Sequence, residues 1–254
     1  MLDTFWEFAL VGFFAQLVDG SLGMGFGVIS SALLLAQGVP PPLVSATVNA
    51  AKLPTGGTAA ISNYYHKNIN WKIAIALAVF GSIGGILGAS LLSGLKGTAL
   101  QYLVNTYLIV MGSYIVYRGI AGITPHMPNK GRFRAIGFAG GIIEGIGGSW
   151  GPVVNTGLLG SGVESRYAIG STNFSEFIVS LVVFMALTIS FYLGFWGEGT
   201  DWSQIGMTVA GLALGGLPAA FFGGYLAKTA PRRPLTIAVG LFAAGVAIYR
   251  FANM

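Results

Sequence analysis

The chain has 254 residues, 54% of them hydrophobic and only 8% charged, with a mean hydropathy of +0.74. A soluble domain carries about 25% charged residues, so this composition excludes a globule in water and indicates a polytopic membrane protein. The net charge of +5 would suggest nucleic acid in a soluble protein. Here the basic residues fall in short loops, where they set orientation in a bilayer, and no nucleic-acid partner is expected. Zero cysteines remove disulfides, iron–sulfur clusters and thiol chemistry.

In chain order, Met1-Leu-Asp-Thr-Phe-Trp-Glu7 lacks the basic start of a cleavable signal, so the first apolar segment is expected to be retained. That segment, 5–36, is broken by Val18-Asp-Gly-Ser-Leu-Gly-Met-Gly-Phe-Gly27, an acid and four glycines inside an apolar run. Spanning helices are expected over 43–63, 71–93 and 98–118. A basic linker, 119–132, follows. A second broken apolar run, 133–161, contains Glu144-Gly145-Ile-Gly-Gly148, and three more spans are expected over 167–193, 203–226 and 234–250.

The two broken runs are copies of one design. Asp19-Gly20-Ser-Leu-Gly23 matches Glu144-Gly145-Ile-Gly-Gly148 at an offset of 125. The match continues through Val28/Val153, Leu33/Leu158 and Leu34/Leu159; after a one-residue gap it resumes with Val39/Val163, Thr47/Ser171 and Asn49/Asn173. Trp71/Trp202, Gly84-Gly85/Gly215-Gly216 and Tyr117-Arg118/Tyr249-Arg250 extend it. The chain is therefore expected to be a single membrane domain of two repeats, 5–120 and 133–252, joined by the linker.

Charge decides whether each broken run crosses once or dips in and returns. Single crossings divide the basic residues 7 to 5 between the two sides. Hairpins gather Lys67, Lys72, Arg118, Lys130, Arg132, Arg134, Arg166, Lys228, Arg232 and Arg233 on one side against Lys96 and Arg250 on the other, 10 to 2. The positive-inside rule favours the hairpins and makes the basic side cytoplasmic. The expected fold is thus all-α: two inverted-topology repeats, each a re-entrant helical hairpin plus three transmembrane helices, with both termini outside. Half-helices of about 12–14 residues would span roughly 20 Å and bring each tip to mid-bilayer.

Backbone that leaves the helix at that depth is tolerated where protein or a watery cavity satisfies it. The second half-helices are expected to begin near Gly23–Gly27 and near Ser149–Pro152, where their N–H groups suit an anion. Discontinuous helices meeting in an inverted repeat are the recurring recipe for a secondary transporter site. Asp19, Glu144, Lys52, Glu176, Asn49 and Asn173 are expected to lie deep. The three-residue spacing puts Asn49 with Lys52, and Asn173 with Glu176, on shared helix faces. Two readings compete for them: a buried ion pair with asparagine glue between helices, or direct contact with substrate. His66 and His126 fall in loops, and Gly84-Gly85 and Gly215-Gly216 read as close helix packing. The chain lacks a G-x-x-x-x-G-K-[ST] loop, an H-E-x-x-H motif and a Ser–His pair at depth, so it is expected to be no enzyme and to carry no metal or cofactor.

The paired segments Asp19-Gly20-x-x-Gly23-x-Gly25-x-Gly27 and Glu144-Gly145-x-x-Gly148, each followed by an asparagine helix (Thr47-Val-Asn49 and Ser171-Thr-Asn173), resemble the TauE/SafE family of sulfite and organosulfonate exporters over about 8–250. The resemblance implies export of a small sulfur-containing anion, sulfite or a short organosulfonate such as sulfoacetate, across the bacterial cytoplasmic membrane. The substrate-binding candidates are Gly23, Gly25, Gly27, Asn49, Lys52, Gly148, Ser149, Trp150, Ser171 and Asn173. Glu144, then Asp19 and Glu176, are the candidates for carrying a coupling proton. A departure is Trp150-Gly-Pro152, which stands where the first repeat has Gly25-Phe-Gly27. The alternatives are a passive anion channel and a membrane scaffold or enzyme whose soluble partner docks on 119–134. The expected partners are the small anion and the lipid bilayer, and a homo-oligomer is compatible with the sequence.

Overall fold

The computed structural model describes residues 2–121, 130–196, 203–229 and 232–252; His126, Glu198, Asp201 and Trp202, invoked above, lie outside the described residues. Among the described residues there are ten helices and no strand. They are α1 (Leu2–Leu22), α2 (Phe26–Ala36), α3 (Pro41–Tyr65), α4 (Trp71–Gly94), α5 (Gly97–Ala121), α6 (Lys130–Gly147), α7 (Trp150–Gly160), α8 (Ser165–Tyr192), α9 (Ser203–Thr229) and α10 (Arg232–Ala252). Four stretches are long and apolar enough to cross a membrane: Trp71–Gly94, Thr98–Ala121, Ser165–Tyr192 and Arg233–Ala252. The 25-residue α3 is long enough but too polar to join them, because Ser45, Thr47, Asn49, Lys52 and Thr55 face the interior.

Both broken runs turn in the same way. Gly23 and Gly148 each adopt φ +67°, and their N–H groups donate to the carbonyls of Asp19 and Glu144 at 2.6 and 2.8 Å. An L side chain is strained at that φ, which explains why glycine closes both first arms. The second arm then folds back. A Cβ on Gly140 would meet Val154 at 2.4 Å and one on Gly157 would meet Ile136 at 3.1 Å, so α6 and α7 run antiparallel. The arms are unequal, however. The first arms have 21 and 18 residues and the second arms 11 each, so the expected length of 12–14 residues fits neither. At 1.5 Å per residue α1 is ~31 Å long and α2 only ~16 Å.

The helices also revise the alignment of the halves. α2 begins at Phe26 and ends at Ala36; α7 begins at Trp150 and ends at Gly160. The offset is thus already 124 at the start of these helices, and the one-residue gap lies at the hairpin tip rather than after Leu34. Gly27 corresponds to Gly151, and Ser31 to Asn155.

Packing between the halves is reciprocal. α1 lies on α9 as α6 lies on α4, while α3 pairs with α8 and α5 with α10. The glycine pairs permit this approach: a Cβ on Gly84 would stand 2.2 Å from the Phe138 carbonyl oxygen, and one on Gly215 would stand 1.9 Å from that of Ala9. The arginines of the two Tyr–Arg pairs lie at the far ends of the short helices. Arg250 donates to the Leu35 carbonyl at the end of α2 and, at 2.9 Å, to Asn105 Oδ1. Arg118 Nη2 lies 3.6 Å from where a Cβ would stand on Gly160, the last residue of α7. A cation at each C-terminus complements the helix dipole.

Candidate functional site

The two hairpin tips cross. Gly27 packs on the Gly148 carbonyl, and Gly151 packs on the Gly23 carbonyl, so that an added Cβ would stand 1.5 and 2.6 Å from those oxygens. Side chains tie the crossing in both directions. Ser31 Oγ donates to the Gly147 carbonyl at 2.7 Å, and Asn155 Nδ2 donates to the Leu22 carbonyl at 3.2 Å. Each short helix thus satisfies a terminal carbonyl of the other hairpin's first arm, one of the groups a helix end leaves unpaired.

Lys52 reaches this crossing from the middle of α3. Its ammonium donates to Glu144 Oε1 at 2.9 Å, the Gly148 carbonyl at 2.6 Å and Glu176 Oε1 at 2.8 Å. An ammonium has three N–H donors, and all three directions are occupied by the protein. Lys52 is 5% exposed and Glu144 0%. Glu144 accepts at both oxygens: Oε1 from Lys52 and from Ser180 Oγ at 2.9 Å, and Oε2 from the Trp150 N–H at 2.7 Å. Asp19 mirrors it, with Oδ1 accepting from the Phe26 N–H at 3.3 Å. The amino ends of α2 and α7, expected to face a substrate anion, are therefore each engaged by the chain's own carboxylate.

The other candidates divide. Asn49 is fully buried; its Nδ2 donates to the Ser45 carbonyl at 2.8 Å, while Oδ1 has no donor among the described residues. Asn155 Oδ1 is another such acceptor. Asn173 is half-buried on α8. Gly23, Gly25, Gly27, Gly148 and Ser149 form the tips. Trp150 contributes its backbone N–H, but its ring is wedged between Gly81 of α4 and Gly140 of α6. Ser171 lies apart from the centre, bonded through Oγ to the Asn70 N–H at 3.0 Å in the α3–α4 loop. The reading from sequence missed Ser180, Ser31 and Asn155. Ser180 stands one turn beyond Glu176, a spacing that could have revealed it.

The profile of the sulfite exporter TauE/SafE family matches residues 8–252. The chain belongs to the TauE/SafE family. Among curated relatives, the TauE/SafE chain is 32% identical over 243 residues to the probable membrane transporter protein YtnM of Bacillus subtilis, covering 92% of this chain and 78% of that one. It is 24% identical to the probable membrane transporter protein YdhB of the same organism, over 86% and 90% of the two chains. No solved structure matches the chain. As a TauE/SafE member it is a multi-pass membrane transporter, and the crossed tips with their buried ions lie within the matched segment.

Proposed function

We propose that the protein is a secondary transporter that exports a small sulfur-containing anion, sulfite or a short organosulfonate, across the cytoplasmic membrane, with both termini outside. The observation that carries this reading is the crossing of two broken helices at a buried Lys52–Glu144–Glu176 centre, the arrangement in which transporters place substrate and coupling ions. The inverted orientation of the repeats rests on the 10 to 2 distribution of basic residues and on the reciprocal packing of the halves. Lys52 offers countercharge through a triad rather than as an unattached cation. Substrate would exchange with the chain's own carboxylates at the helix amino ends. One of the three carboxylates, Glu144, Asp19 or Glu176, would carry a proton with the anion, since like charges about 4 Å apart repel by roughly 4 kcal/mol at an effective dielectric of 20.

Purified protein in liposomes should take up sulfite or sulfoacetate saturably and show counterflow. Linear flux without counterflow would establish the channel reading instead. Topology gives a separate prediction. The chain has no native cysteine, and Lys67 and Lys96 are exposed on either side of α4. In intact cells an impermeant thiol reagent should label the Lys96→Cys variant and spare the Lys67→Cys variant. The opposite pattern would reverse the orientation.

A further inference from the structure

We propose that the proton is carried by Glu176 together with Asp19, and that Glu144 serves as the fixed counterion of Lys52. This assignment rests on reading the crossing as a transport centre, and it departs from the sequence preference for Glu144. The first observation is saturation. A carboxylate has about four acceptor positions, and Glu144 fills them with Lys52 on both oxygens, Ser180 Oγ and the Trp150 N–H. A proton could bind there only by expelling a donor from a fully buried site. Glu176 differs. Its side chain is 15% exposed, and Lys52 supplies its one hydrogen bond among the described residues, on Oε1.

The second observation is the broken symmetry of an otherwise reciprocal centre. Asp19 corresponds to Glu144, and Lys52 to Glu176. Where one half sets a lysine against the hairpin acid, the other sets a glutamate. Glu176 accordingly interacts electrostatically with Asp19 as well as with Lys52 and Glu144. Asp19 on α1, Lys52 on α3 and Glu144 on α6 are thus the charged groups that act on it. Of the other elements packed on α8, α7 has no titratable residue and α4 has only the exposed Lys72. The single ammonium of Lys52 is shared between Glu144 and Glu176, so the centre holds two more carboxylates than cations. Two such groups relieve their repulsion by sharing one proton. The proton enters from water on one side, converts one carboxylate to a carboxyl group and leaves to water on the other side.

Infrared difference spectroscopy on the purified full chain in detergent tests this without any substrate. Titration with rising pH should remove a protonated-carboxyl C=O band in the wild type. The band should be absent in Glu176→Gln, shifted or absent in Asp19→Asn, and unchanged in the surface control Glu164→Gln. Monodisperse elution confirms that each variant is folded, and the two separate variants guard against one of them failing to fold. A band that persists unchanged in both variants would overturn the assignment. Loss of the wild-type band on adding sodium at constant pH would also overturn it, making the pair a cation site. A protein that shows the band but moves no sulfite would refute the proposed substrate and leave this assignment standing.

Discussion

Gly27→Ala should leave little or no folded protein. The added methyl would stand 1.5 Å from the Gly148 carbonyl oxygen and 2.6 Å from its carbon, with Lys52 Nζ at 3.1 Å. Both of the nearest atoms are backbone, so no rotamer change can relieve the clash, and one tip would have to slide off the other. Such a slide would strip Lys52 of the Gly148 carbonyl and Ser31 of the Gly147 carbonyl. The loss should exceed the ~4–5 kcal/mol that marks an exceptional single substitution. Gly38→Ala is the contrast. Gly38 has φ +81° but nothing within 4 Å of an added Cβ, so the cost is backbone strain alone, about 1–2 kcal/mol. Yield and thermal unfolding in detergent should separate the two variants clearly. Equal behaviour would mean that the tips do not touch.

Lys52→Met should be the most damaging substitution on α3. It leaves the buried Glu144 and the half-buried Glu176 without their cation and the Gly148 carbonyl without its donor. Removing one partner of a buried pair costs about 3–5 kcal/mol, whereas removing both charges is often close to neutral. The triple variant Lys52→Met, Glu144→Gln, Glu176→Gln should therefore melt nearer to the wild type than Lys52→Met alone, although it should not transport. If the single variant melts like the wild type, the triad contributes nothing to the fold.

The hairpins and their repetition were legible because glycine and acid are conspicuous in an apolar run. Asp19-Gly20-x-x-Gly23 and Glu144-Gly145-x-x-Gly148 mark both turns by themselves. The position of the alignment gap was not legible. Leu34 finds a leucine partner at either offset, Leu159 or Leu158, so apolar matching could not reveal that the first tip is one residue longer. Arm length was hidden for a similar reason, since nothing in an apolar stretch records where a helix enters the bilayer. The depth of Lys52 could be read from its place within α3, but its partners could not. Glu144 is 92 positions away and Glu176 124, and only the packing of α3 against α6 and α8 brings them together. At the helix amino ends, hydropathy and spacing do not show that Asp19 and Glu144 fold back onto Phe26 and Trp150.

The crossing has a mechanical consequence. Each short helix rests a glycine on the carbonyl of the opposite tip and holds the opposite arm by a side-chain bond. Two crossed levers in this arrangement cannot swing one at a time, because displacing either drags the contact that seats the other. On the proposed secondary-transport reading, opening toward one face of the membrane would carry both tips together, or break Ser31–Gly147 and Asn155–Leu22 in the same stroke. A covalent staple between the tips would then stop the cycle on both faces at once.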